Sequence, residues 1–151
     1  GKKPDAKTRI MAKSLAVSVP GSLLENRGQR TLSSLISKAR RLHFSRLCTI
    51  HMGKGAPNSI SFLSLEGEKG WAWLSPKIVI REATLCPIAI ARFKQSKCLS
   101  ISGTRAKTLN ALVSPRNSSD ETGSKIVASA KKLALFSGNA KLFELGVSYE
   151  K

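Results

Sequence analysis

Two rhythms of apolar and polar positions run along this chain. Over residues 30–47 (RTLSSLISKARRLHFSRL), a step of about 100° per residue puts Leu32, Leu35, Ile36, Ala39, Leu42, His43 and Leu47 on one side. Arg30, Ser34, Lys38, Arg41 and Ser45 fall on the other. The spacing predicts an amphipathic helix with one packing face, His43 inside that face, and a cationic outer face. Residues 59–65 (SISFLSL) instead alternate Ser with apolar residues; EGEKG and then WAWLS follow, which predicts a β-hairpin. Further strands are predicted at 14–19, stopped by Pro20-Gly21, at 48–52, at 77–81 after Pro76, and at 87–93 and 98–102. Residues 53–58 read as a loop, 104–112 as a short helix after Gly103, and 114–124 (SPRNSSDETGS) as a flexible loop. Residues 125–136 (KIVASAKKLALF) read as a helix running into a strand, or as one amphipathic helix, and end the regular structure before Gly138-Asn139. No internal repeat is evident.

These elements predict a mixed α and β fold of the α+β class, one compact domain over residues 14–151. Residues 1–13 (GKKPDAKTRIMAK) hold Lys2, Lys3, Lys7, Arg9 and Lys13 with only two large apolar side chains, too few to hold a fold alone. They predict a mobile basic arm.

Charge changes the picture more than length does. The chain has 151 residues, 41% of them apolar, enough for one real core, yet carries 26 basic and 9 acidic side chains for a net charge of +17. The excess thins along the chain, from +10 over residues 1–54 to +5 over 55–110 and +2 over 111–151. A compact domain so charged repels itself unless a polyanion neutralises it, and this points first to nucleic acid. With no acidic residue among positions 26–65, the helix cations Arg30, Lys38 and Arg41 are expected to face phosphates, with Lys54 of the G-K-G loop as a further contact. Arg92, Lys94 and Lys97 form a second basic cluster. Trp71 and Trp73 share one face of a strand; exposed they would stack bases, buried they would anchor the core, and in a chain only 5% aromatic the core reading is favoured.

Catalytic signals are sparse. The carboxylates sit mostly in turns, such as Glu66, Glu68, Asp120 and Glu121, and none forms a local pattern with His or Cys. The loop at 53–55 lacks the G-x-x-x-x-G-K-[ST] of a nucleotide-binding loop. Cys48 and His51 have a metal-like spacing, but Cys86 and Cys98 supply no second pair, so no metal site is expected. Three cysteines without a short-spaced framework predict a reducing, intracellular compartment, and no signal peptide or membrane-length apolar run is visible.

Residues 16–26 (AVSVPGSLLEN), followed by Arg30-Thr31, resemble the first strand and helix of a group of RNA methyltransferases with the trefoil-knot (SPOUT) fold. Residues 133–146 (LALFSGNAKLFELG) resemble that family's later strand and glycine-containing loop. The resemblance implies an α/β knot and S-adenosylmethionine as cofactor, with Gly138, Glu144 and Gly146 bordering it. In addition, HMGKGAP resembles one loop of the ribosomal large-subunit protein sixteen family.

Together these features predict a non-catalytic RNA-binding protein, a structural ribonucleoprotein component such as a ribosomal protein. Its expected partners are rRNA or another structured RNA and other proteins of the same assembly, with no cofactor. The alternatives are an S-adenosylmethionine-dependent RNA methyltransferase and a viral nucleocapsid or matrix-type protein.

Overall fold

The computed structural model describes residues 5–67, 70–86, 93–115 and 123–151. Within them the chain runs α1 (Ala6–Ser18), α2 (Leu32–Arg41), β1 (Arg46–Gly53), β2 (Ala56–Gly67), β3 (Gly70–Trp73) and β4 (Lys77–Leu85). It continues through β5 (Leu99–Ser102), α3 (Ala106–Val113), β6 (Ser124–Ala128), β7 (Lys132–Ser137) and β8 (Ala140–Glu150). The strands form one mixed sheet in the order β1-β2-β4-β8-β7-β6-β5, with β3 attached to β2 alone. β5 and β6 are parallel, joined through α3; the other pairs are antiparallel. The α+β class expected from the sequence is the one observed.

The core is centred on β8. Phe143, Leu145 and Val147 meet Ile78 and Ile80 of β4 and Leu133 and Leu135 of β7. β8 is itself a correction, because regular structure was expected to end near Phe136. Residues 125–136 also fold otherwise than expected: they form β6 and β7, an antiparallel pair, with no helix. The sequence KIVASAKKLALF fits either period over a short window, and pairing with β8 decides for the strand. Residues 87–92 and 116–122, read as part of a strand and of a flexible loop, lie outside the described residues.

Where an arm over 1–13 and a strand over 14–19 were expected, one helix runs from Ala6 to Ser18, capped by Asp5, whose Oδ1 accepts from Thr8 N–H at 2.7 Å. Its buried face is Thr8, Met11, Ser14 and Ser18, a helical spacing written mostly in hydroxyls. Ser14 Oγ donates to the Ile10 carbonyl and Ser18 Oγ to the Ser14 carbonyl, each at 2.7 Å. Satisfied within the helix, these serines pack as small residues against the sheet. Residues 1–4 of the expected arm lie outside the described residues.

α1 and α2 cover opposite faces of β2. Ile60 and Phe62 pack with Met11 of α1, whereas Leu63 and Leu65 pack with Ile36 and Ala39 of α2. α2 is shorter than the predicted helix: it ends at Arg41, His43 takes φ 64°, and the chain enters β1 at Arg46. His43 is therefore exposed rather than packed in the helix face, and Leu47 belongs to a strand. The loop expected over 53–58 contracts to two residues. Gly53 pairs with Ala56, leaving Lys54 (φ 53°) and Gly55 (φ 76°) as a left-handed two-residue hairpin turn. The predicted hairpin of β2 with β3 is present, Leu63 opposite Trp73 and Gly67 opposite Gly70.

Two contacts set α3 in place. At its start, Gly103 (φ 100°) lies so close to β6 that a Cβ there would be 2.2 Å from the Ala128 carbonyl oxygen, which accepts from Arg105 N–H at 3.0 Å. At its end, the Arg46 guanidinium reaches over from β1 and donates to the carbonyls of Leu112 at 3.2 Å and Ala111 at 3.3 Å. β1 and β5 stand at opposite ends of the strand order, so this contact requires the sheet to curl until α3 meets its far edge.

Candidate nucleic-acid interface

α2 begins at Thr31, whose Oγ1 accepts from Ser34 N–H at 3.1 Å, the cap that a Thr followed by Ser-Ser-Leu can supply. The helix cations do not all face solvent unpaired, as the absence of acids over 26–65 had suggested. Glu25, one residue upstream of that window, takes Arg30 Nη2 at 2.8 Å and Lys38 Nζ at 2.5 Å on the same Oε1. Hydrogen bonding from Lys38, then from Arg30, holds the Glu25 carboxyl below its ordinary pKa. A depressed carboxylate contributes its pairing above the unfolded value and loses it as pH falls through the folded one. Glu25 therefore acts as a clamp on two of the cations expected to bind phosphate. Glu25→Gln should raise affinity for a single-stranded RNA about threefold at low salt by releasing both, read by fluorescence anisotropy; the gain should vanish in acid, where the wild-type carboxylate is protonated as well.

Arg40 and Arg41, at the end of α2, are exposed. Arg40 leans toward β3: its Nη2 lies 3.8 Å from the point where a Cβ on Gly70 would sit. Gly70 is followed on that strand by Trp71 and Trp73, for which the core reading was favoured from the sequence. They are instead 43% and 46% exposed, edge to face at 86° with ring centroids 6.1 Å apart. The reason is topological. Among the described residues β3 pairs with β2 only, and α2 already covers Leu63 and Leu65, so no described element covers the indoles. Leu42, 46% exposed, follows the last helical residue. Exposed indoles were legible in the sequence only as one of two readings; Arg40 itself was not singled out.

The other expected contacts are distributed. Lys7, Arg9 and Lys13 are exposed on α1, across the sheet from α2. Lys54 is exposed in the β1–β2 turn. Lys94 and Lys97 line a cleft with Ser96, Gly123, Ser137 and Gly138. Gln95 ties that segment to the turn after α1, its Nε2 donating to the carbonyls of Ala16 at 2.9 Å and Ser22 at 2.8 Å while its Oε1 accepts from Gly21 N–H at 3.1 Å. The second basic cluster thus joins the α1 side. Lys2, Lys3 and Arg92 lie outside the described residues.

The residues that the methyltransferase resemblance would place around a cofactor are not gathered into one site. Gly138 (φ 58°) occupies the β7–β8 turn, whereas Gly146 lies inside β8 between Glu82 and Lys132, about 20 Å of strand away. Glu144 is paired with Lys141 Nζ at 3.1 Å, and that bond lowers its pKa. Residues 16–18, read as part of a strand, end α1. Cys48 and His51, three apart in β1, point to opposite faces of the sheet. Among the described residues no helix is long and apolar enough to cross a membrane.

No protein-family model and no curated protein matches this chain. The fold is nevertheless a known one. A probable ribosomal biogenesis protein from Aeropyrum pernix K1 superposes with a TM-score of 0.74 at 15% identity, over 100% of this chain and 92% of that one. Mil, an archaeal Imp4-like protein, superposes with a TM-score of 0.66 at 17% identity, over 99% of this chain and 95% of that one. At such identities the likeness is one of architecture, spanning the whole sheet and its helices.

Proposed function

We propose that this chain is a non-catalytic RNA-binding protein acting on a ribosomal or preribosomal ribonucleoprotein, in company with other proteins of that assembly. The observation that carries the reading is the net charge of +17 displayed on a fold shared over its full length with a ribosomal biogenesis protein. The α2 side supplies the contact surface: Arg40 and Arg41 are exposed there, and Glu25 holds Arg30 and Lys38 in place beside them. Guanidinium forks position phosphates without reading sequence, so structured and unpaired RNA would both be held.

The reading is tested by the salt dependence of binding to an rRNA fragment. Each phosphate neutralised on a single strand contributes a slope of about −0.7 to log affinity against log salt, so four contacts imply a loss of about fiftyfold between 50 and 200 mM. The double variant Arg40→Glu, Arg41→Glu should flatten the slope by about 1.4 and leave thermal unfolding unchanged. A wild-type affinity that is flat across this range would sink the reading.

A further inference from the structure

Trp71 and Trp73 are the only tryptophans in the chain, and both stand on a four-residue strand with one neighbour in the sheet. Large aromatic side chains left nearly half exposed mark contact surfaces, because a folded chain otherwise uses them to fill its core. Their direction is set by register. Trp73 is paired with Leu63, so it projects on the same face as that leucine, the face that α2 covers. Trp71, two residues earlier, shares the face. The indoles therefore extend the α2 surface sideways, at the flank where Arg40 approaches Gly70.

We propose that Trp71, Trp73 and Arg40 form a stacking site for unpaired bases of a single-stranded RNA. This rests on the RNA-binding reading above and specifies which form of RNA the α2 side takes. Three features select that occupant. Both indoles are nearly half exposed and their planes stand at 86°, so successive bases can splay and each lie on one indole. The Arg40 guanidinium, which reaches the start of the same strand at Gly70, supplies the phosphate contact. Carboxylates that would repel a polyanion are scarce: among the described residues Glu66 alone carries one on β2 or β3, and it is held by Arg46 Nη1 at 3.1 Å. A duplex keeps its bases paired and stacked, and so cannot use this surface in the same way.

Because both tryptophans belong to the site, indole emission of the unmodified protein reports on it directly. A fluorescein-labelled twelve-nucleotide oligouridine and a twelve-base-pair RNA duplex are titrated, with anisotropy reporting binding; the same unlabelled RNAs are titrated with indole emission reporting stacking. The single strand should quench indole emission in step with binding, and the duplex should bind with little quenching. Trp71→Leu, Trp73→Leu should weaken the single strand about tenfold per indole and leave the duplex within twofold. Leu keeps apolar cover on β2, and the emission titration needs no variant, so a poorly folding double variant does not rescue the proposal. Binding by anisotropy without quenching, or an equal loss for both RNAs, overturns the stacking site while leaving the RNA reading intact. No binding of either RNA at low salt overturns both readings.

Discussion

Gly103→Ala should destabilise the domain by about 3 kcal/mol or more, measured by urea unfolding, and Gly103→Val should prevent it from folding. Two independent costs add at this position. The backbone holds φ at 100°, a conformation that L side chains rarely adopt, and a Cβ would stand 2.2 Å from the Ala128 oxygen and 3.0 Å from its carbon. Because the obstacle is backbone at the buried end of β6, no rotamer change relieves it. Gly138→Ala provides the control. Gly138 also has positive φ, at 58°, but nothing lies within 4 Å of its added Cβ, so that variant should cost only about 1 kcal/mol. Equal losses for the two variants would show that the close approach of the β5–α3 connection to β6 does not hold in solution. Against a total stability of about 5–15 kcal/mol, the expected difference is large enough to read without ambiguity.

Arg46→Ala should cost about 2 kcal/mol, with the loss centred on α3 rather than on β1, where the residue resides. Its side chain is 18% exposed and donates to Leu112, Ala111 and Ser45 carbonyls, with Glu66 as counterion. The ion pair itself contributes little, since Glu66 is 59% exposed. The carbonyl bonds matter more. They satisfy acceptors in the last turn of α3, a helix that has no side-chain cap at its start, and place a cation at the negative end of its dipole. Hydrogen exchange should accelerate over residues 106–113 in the variant and change little in β4 and β8. Arg46→Lys should recover only part of the loss, because one ammonium cannot reproduce a fork that reaches two successive carbonyls. If exchange increased evenly over the sheet, Arg46 would be a general packing residue and not a tie to α3.

Much of the sheet was legible because its strands alternate in the way that half-buried strands must. The β2–β3 hairpin and β5 follow from period-two runs, β1 and β4 from short apolar runs before Gly53 and after Pro76, and α3 from its place after Gly103. What escaped the sequence reading had physical causes. The inner face of α1 is made of Thr8, Met11, Ser14 and Ser18, and the two serine hydroxyls count as polar until their bonds to the preceding turn are seen. His43 was assigned to a packed helix face because periodicity does not reveal a left-handed residue that ends the helix. For β8 a signal was present: Phe143, Leu145, Val147 and Tyr149 alternate strictly. At the candidate interface the cationic character of α2 was readable, but the pairing of Arg30 and Lys38 with Glu25 and the exposure of Trp71 and Trp73 depend on tertiary placement. A sequence supplies the indoles; whether an element remains to cover them is decided by topology.

The place of β8 in the sheet has a consequence for how this chain comes into being. It is the last of these strands to be synthesised, yet it lies between β4 and β7 and carries the centre of the core. During translation, β1 to β4 and β5 to β7 would emerge as two groups of strands with no direct pairing to each other, and α1 would wait beside them for a surface to settle on. The nascent chain would hold its apolar faces open until residues 140–150 clear the exit tunnel, so the commitment to a closed fold comes in a single late step.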